Sequence, residues 1–147
     1  MDMSGEYRIA APIQTVWDAI QDPEILRGAI PGCEELEKTG ETEMSAKVSL
    51  KIGPVKAKFA GEVALKDLVA PNSLKIEGEG KGGIAGFAKG GADVQLAEDG
   101  NETILTYQAE AQVGGKIAQL GSRLIQSTAA KLADKFFANL RDELEES

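Results

Sequence analysis

Between residues 43 and 113 this chain alternates apolar and polar side chains with period two, and it does so in several separate runs. Met44, Ala46, Val48, Leu50 and Ile52 alternate with Glu43, Ser45, Lys47, Ser49 and Lys51. Val55, Ala57, Phe59, Gly61, Val63 and Leu65 form the next such set, and Thr103, Leu105, Tyr107, Ala109, Ala111 and Val113 a later one. Period two places one set of side chains on one face, so each run reads as a strand with one wet and one covered face. Gly53-Pro54, Pro71-Asn72 and Asp99-Gly100-Asn101 punctuate the runs as turns. Leu74, Ile76 and Gly78 begin a further strand, and Ala92 to Ala97 another.

The covered face needs a partner, and the chain supplies one afterwards. From Lys116 to about Glu145 there is no proline and no glycine except Gly121. Ile117, Leu120, Leu124, Thr128, Leu132, Phe136, Leu140 and Leu144 recur every three or four residues, the period of an amphipathic helix. Unbroken, it would run about 45 Å at 1.5 Å per residue. Before the alternating runs, Tyr7 to Ala10 reads as a short first strand. Two short helices follow it. Ile13, Val16, Trp17 and Ile20 form one apolar face behind Pro12, and Asp22-Pro23 caps and opens a second helix holding Ile25 and Leu26. Ile30-Pro31-Gly32 ends it. Strands segregated from a terminal helix predict an α+β fold, a curved antiparallel sheet around the long C-terminal helix. Residues 1–147 read as one domain.

The faces of the strands carry a second message. By parity the inward positions include Ala46, Ala57, Gly61, Gly78, Ala109 and Ala111, and the helix offers Gly121 and Ser122. Small residues on both sides mean either close approach of helix and sheet or a gap that protein side chains leave unfilled. Only seven aromatic residues are present, with Trp17, Phe59, Phe87, Tyr107 and Phe136 as inward candidates. That scarcity favours the gap, because a large volume is hard to fill with alanine and glycine.

Other features exclude chemistry. There is no histidine and one cysteine, Cys33. This removes histidine-based nucleophile pairs, imidazole bases and cysteine cages for metals, and no catalytic or metal-binding residue is assigned. The net charge of -8 argues against nucleic acid. No run approaches the roughly 20 apolar residues of a spanning helix, and Met1 to Tyr7 lacks the apolar centre of a signal peptide. The expected location is the cytoplasm, with Cys33 a reduced thiol. Gly78-Glu79-Gly80-Lys81-Gly82-Gly83 matches a dinucleotide fingerprint, but no helix pattern follows it. Seven glycines between residues 78 and 91 read instead as a wide mobile loop, with Ile84 and Phe87 either covering a pocket mouth or anchoring the loop. The acidic stretches Glu34-Glu35-Leu36-Glu37 and Asp142 to Glu146 read as solvated surface.

Ala11-Pro12-x-x-x-Val16-Trp17, Asp22-Pro23 and Ile30-Pro31-Gly32-Cys33 together resemble the N-terminal half of the START/Bet v 1-like (SRPBCC) ligand-binding superfamily. Gly53-Pro54-Val55-Lys56, the 78–83 and 86–90 glycine stretches, and Gly114-Gly115-Lys116-Ile117-Ala118-Gln119-Leu120-Gly121 are similar to the G-subunit family of carbon monoxide dehydrogenase. The resemblance implies a helix-grip fold of six or seven strands with an apolar cavity between sheet and helix. It also implies a partner enzyme, a molybdenum hydroxylase of the carbon monoxide dehydrogenase type, a lipophilic quinone as ligand, and peripheral membrane contact. The expected cavity wall is Phe59, Phe87, Tyr107, Leu120 and Leu124, with the Tyr107 hydroxyl as a hydrogen-bond donor. The competing expectation is a recruitment factor without a ligand, acting through a basic outer face of Lys47, Lys51, Lys56 and Lys58. A cyclase or hydrolase on this fold is disfavoured by the lack of histidine.

Overall fold

The computed structural model describes residues 1–145. Its strands are β1 (Asp2–Ile9), β2 (Cys33–Lys38), β3 (Glu43–Ile52), β4 (Val55–Val69), β5 (Ser73–Lys81), β6 (Phe87–Asp99) and β7 (Glu102–Gly114). They form one curved antiparallel sheet in the order β1-β7-β6-β5-β4-β3-β2. Strands β2 to β7 therefore follow one another as a meander, and β1 closes against β7. Between β1 and β2 lie helices α1 (Ile13–Ile20) and α2 (Pro23–Ala29). The chain ends in α3 (Ser122–Glu145).

Local chemistry explains the short helices. Pro12 is extended at the start of α1, which buries Val16, Trp17, Ala19 and Ile20. The Asp22 carboxylate accepts a hydrogen bond from the Glu24 N–H at 3.0 Å, and Pro23 opens α2 where no N–H is needed. Ile30, held before Pro31, is extended with ψ 118 and stops the helix. Buried Thr103 ties the first connection to the sheet, donating from Oγ1 to the Ala11 carbonyl at 2.8 Å.

The expected architecture is present, with corrections to individual segments. The glycine-rich stretch 78–91 is not a wide loop. Gly78 and Gly80 lie in β5 and Gly90 and Gly91 in β6, leaving a turn at 82–86 with a 3-10 segment at Gly83–Ala85. Neighbouring strands on both sides satisfy the backbone of these glycines, so their low strand propensity is overridden by the ladder. The long helix is not continuous. Lys116–Leu120 is a 3-10 segment, and Gly121 at φ +102 leaves helical geometry before α3 begins. The glutamates of the acidic run Glu34 to Glu37 are exposed, as expected, but the run is an edge strand, β2, with Leu36 half-buried. Charges on an edge strand oppose pairing with another chain. In the acidic tail, Leu144 is buried and Glu143 packs against Gly28 of α2, while Glu145 accepts from the Ala10 N–H at 3.0 Å. Glu146 lies outside the described residues. The first strand is also longer than its sequence pattern, because its pairing with β7 extends to Asp2.

Buried side chains fall into two groups. The larger joins α1, α2, the C-terminal half of α3 and the sheet, through Ile9, Trp17, Ile20, Leu26, Met44, Leu105, Tyr107, Phe137 and Leu140 among others. The smaller holds Ile52, Ala57, Phe59, Ala85, Ile117 and Ile125. The candidate site lies where these two groups fail to merge.

Candidate functional site

Strand register places the small residues side by side. Ala46 faces Gly61, Gly61 faces Gly80, and Gly80 faces Ala88 across β3, β4, β5 and β6. One step along, Val63, Gly78, Gly90 and Ala111 form a parallel row. These rows are a bare strip across the covered face of the sheet. Helix α3 spans it with Ile125, Thr128, Ala129 and Leu132, so neither side fills the space.

The result is a cavity of about 340 Å³. Its floor is Ala46, Gly61, Gly78, Gly80, Ala88 and Ala111, its flanks Val48, Leu50, Ile52, Phe59, Val63 and Val113, and its roof Ile117 with the α3 residues. Met3 of β1 reaches it from the far edge. Thr128 contributes a hydroxyl to an otherwise apolar wall. Glu62 and Glu79 also border it, from strand positions whose parity is that of the outer face, where they flank a trough with Lys75 and Lys89.

The glycines are not equivalent. A Cβ on Gly61 would collide with the Glu79 carbonyl, and one on Gly80 would lie 3.3 Å from Cβ of Phe59. A Cβ on Gly78 would meet only the Glu62 carbonyl oxygen, at 3.9 Å. Gly78 therefore leaves space that a side chain could occupy.

Of the five expected wall residues, Phe59 lines the cavity. Leu120 packs against the smaller core group behind it, and Leu124 lies under the β3–β4 turn, 2.8 Å from where a Cβ on Gly53 would sit. Phe87 is 44% exposed, because the inward residue at that point of β6 is Ala88. Tyr107 faces inward but belongs to the larger core, where its ring stacks on Phe137 with centroids 4.1 Å apart. Ala46, Gly61, Gly78 and Ala111 of the expected small face line the cavity, whereas Ala109 packs on the larger core and Gly121 and Ser122 are exposed. Gly80, Ala88, Thr128, Ala129 and Leu132 went unassigned. Carrying strand parity through 78–91 finds the first two, and the Thr128–Leu132 spacing finds two more.

The titratable groups with displaced equilibria lie away from the cavity walls. Burial, then the hydrogen bond to Asp134, pushes the Tyr7 phenol up, and burial does the same to Tyr107 and to the Cys33 thiol. Lys66 and Glu77 pair on the outer face at 2.7 Å, which raises the lysine and lowers the carboxyl. Among the described residues, no group of three or more His, Cys, Asp or Glu side chains is placed to hold a metal ion. Nor is any helix among them long and apolar enough to cross a membrane.

The family model for the carbon monoxide dehydrogenase G-subunit (CoxG) matches residues 5–145. The chain belongs to the CoxG family. Its fold recurs in a conserved protein from Geobacillus kaustophilus, 31% identical, with TM-score 0.90 over 100% of this chain and 97% of that one. A START superfamily protein from Mycobacterium smegmatis is 14% identical, with TM-score 0.71 over 99% and 97%. The Zhui aromatase/cyclase from Streptomyces sp. R1128 is 12% identical, with TM-score 0.67 over 99% and 93%. No curated protein matches the chain. The START-like neighbours make this CoxG-family chain a helix-grip protein. Family and fold together point to a protein that binds a hydrophobic ligand.

Proposed function

We propose that this CoxG-family protein is a non-catalytic carrier that holds a lipophilic small molecule, a quinone, in the cavity between sheet and α3. It would act in the cytoplasm beside a molybdenum hydroxylase of the carbon monoxide dehydrogenase type, taking or delivering the quinone that exchanges electrons with that enzyme. The observation that carries the reading is the apolar cavity of about 340 Å³ above the in-register strip of alanine and glycine. Apolar walls left to water are costly, at roughly 25 cal/mol per Å² of apolar surface, and an apolar occupant offsets the cost. Among the described residues no acid–base constellation converges on the cavity, so binding rather than reaction is what the walls support. Thr128 can donate one hydrogen bond to a carbonyl, while the remaining walls contact ring and tail.

The test is organic extraction of the purified protein with mass spectrometry, followed by addition of menaquinone and ubiquinone to the stripped protein. The expected result is a lipophilic ligand in the extract and a saturable rise in melting temperature with a quinone. Trp17 lies in the larger core, so thermal shift is the better readout. An empty extract together with no saturable shift would sink the proposal. The alternative is ligand-free recruitment through Lys47, Lys51, Lys56 and Lys58, of which Lys47 lies 3.4 Å from Glu35 and Lys58 4.0 Å from Glu34 of β2.

A further inference from the structure

Helix α3 does not meet the rest of the fold evenly. Along β1 it is tied down, with Gln126 donating to the Asp2 carbonyl at 3.2 Å and the Tyr7 hydroxyl donating to Asp134 at 2.6 Å. Its other side is held toward the two ends. Leu124 abuts Gly53 of the β3–β4 turn, and farther along Asn139 donates to the Ala29 carbonyl of α2 at 3.1 Å. From Leu124 to Asn139 is about 22 Å of helix at 1.5 Å per residue.

The sheet is open along this stretch. Strand β2 pairs with β3 only as far as Cys33 opposite Val48, and the Ser49 N–H donates to the Gly32 carbonyl at 2.9 Å. Past that point Leu50, Lys51 and Ile52 have β4 on one side and no strand on the other. Cδ2 of Leu50 lies 3.4 Å from where a Cβ on Gly32 would sit, so the Pro31-Gly32 bend frames this free edge. Across from it, Leu124, Thr128, Leu132, Lys135 and Asn139 recur every three or four residues along one face of α3. Val48, Leu50, Thr128 and Leu132 line the cavity, and all four are only half-buried. The cavity therefore opens sideways into an apolar slit between β3 and α3.

Cavity volume decides what can lie there. About 340 Å³ holds on the order of 15–20 non-hydrogen atoms packed as in an organic crystal. A naphthoquinone ring with one isoprene unit uses that up, so any longer tail must leave. The β1 side is closed by the ties to α3, and the end near the 82–86 turn by Phe59, Ala85 and Ile117, which pack together.

We propose that the ligand is a ring bearing a polyprenyl tail, with the ring over Gly78 and Gly80 and the tail laid in the slit between β3 and α3. The exposed Lys135 can lay its apolar stem over the tail and keep its ammonium in water. This rests on the cavity reading proposed above and adds to it the place of the tail and the class of molecule selected.

Photocrosslinking of the stripped full chain tests the slit. The probe is a menaquinone analogue whose tail, about four isoprene units long to span the slit, ends in a diazirine. Tandem mass spectrometry should place the crosslinks on residues 30–33, 48–52 and 124–135. Gly78→Val, which fills the place of the ring, should lower their yield tenfold or more. Dimethylnaphthoquinone, the ring without a tail, separates the two readings. It should raise the melting temperature of wild type saturably. If it does not, the cavity reading falls and the slit with it. If it does, but the crosslinks fall on the 82–87 turn, on the β1 edge or evenly over the surface, the slit is overturned and the cavity reading stands. Undiminished yield in Gly78→Val also overturns the slit, because the tail would then bind without its ring in the cavity.

Discussion

The rings of Tyr107 and Phe137 stack with centroids 4.1 Å apart and an interplanar angle of 19°, joining β7 to α3 across the larger core. Tyr7 extends the stack at 6.1 Å from the Phe137 centroid, and Phe136 meets the Phe137 ring edge-on at 4.8 Å. This aromatic contact clamps helix to sheet on one side of the cavity. On the other side Phe59, Ile117 and Ile125 hold them together. Between the two clamps the sheet offers only small side chains. The cavity is thus spanned by the fold rather than being a packing defect.

Phe137→Ala should therefore act on stability and not on the ligand. Removing a buried phenylalanine from a core costs about 3–5 kcal/mol, and Phe137 is 3% exposed. Urea denaturation should show a loss in that range. At a temperature where the variant stays folded, quinone affinity should match wild type, because Phe137 does not line the cavity.

Gly78→Val should do the reverse. The added side chain enters open space, since its Cβ meets only the Glu62 carbonyl oxygen at 3.9 Å. A β-branched residue suits a central strand. The stripped variant should lie within about 1 kcal/mol of wild type in stability, while quinone binding, read by thermal shift, weakens roughly tenfold or more.

Thr103→Val keeps the shape of a fully buried side chain and deletes its hydroxyl. The Ala11 carbonyl then loses the donor 2.8 Å away. Leaving a buried acceptor unpaired costs about 1–3 kcal/mol. Thermal unfolding should report this as a lower melting temperature with unchanged circular dichroism.

Alkaline pH should weaken the β1–α3 contact. The Tyr7 hydroxyl donates to the Asp134 carboxylate at 2.6 Å, and burial together with that bond holds the phenol above its ordinary value. A group whose folded value is raised binds its proton more tightly when folded. Its contribution is full below the unfolded value of about 10 and is lost as pH rises from there toward the folded value. Stability of wild type should fall above that pH more steeply than that of Tyr7→Phe. At neutral pH Tyr7→Phe should cost about 1 kcal/mol for the lost hydrogen bond. Paired denaturation curves at neutral and alkaline pH check both statements.

Much of the site was readable once parity had been assigned. Ala46, Phe59, Gly61, Gly78 and Ala111 follow from alternation alone and line the cavity. The reading failed where local propensity and tertiary demand diverge. Gly78 to Gly91 looks like a loop by composition, yet pairing on both sides makes most of it strand. Phe87 and Tyr107 drew attention as scarce aromatics. A one-residue shift in facing puts Phe87 outside, and distance along the strand puts Tyr107 in the other core.

By itself the sequence determined the element order, the faces of the strands and the kind of chemistry available. Periodicity and composition are local properties, and they are written residue by residue. What only the tertiary structure decided is which small residues stand abreast. Gly61, Gly80 and Ala88 lie on three different strands, and register across them makes them one floor. Likewise Gly121 breaks the last helix because the chain must turn at φ +102 to lay α3 over that floor. The cavity is a relation between surfaces, fixed by strand register and by α3 packing across the sheet, and no single segment encodes it.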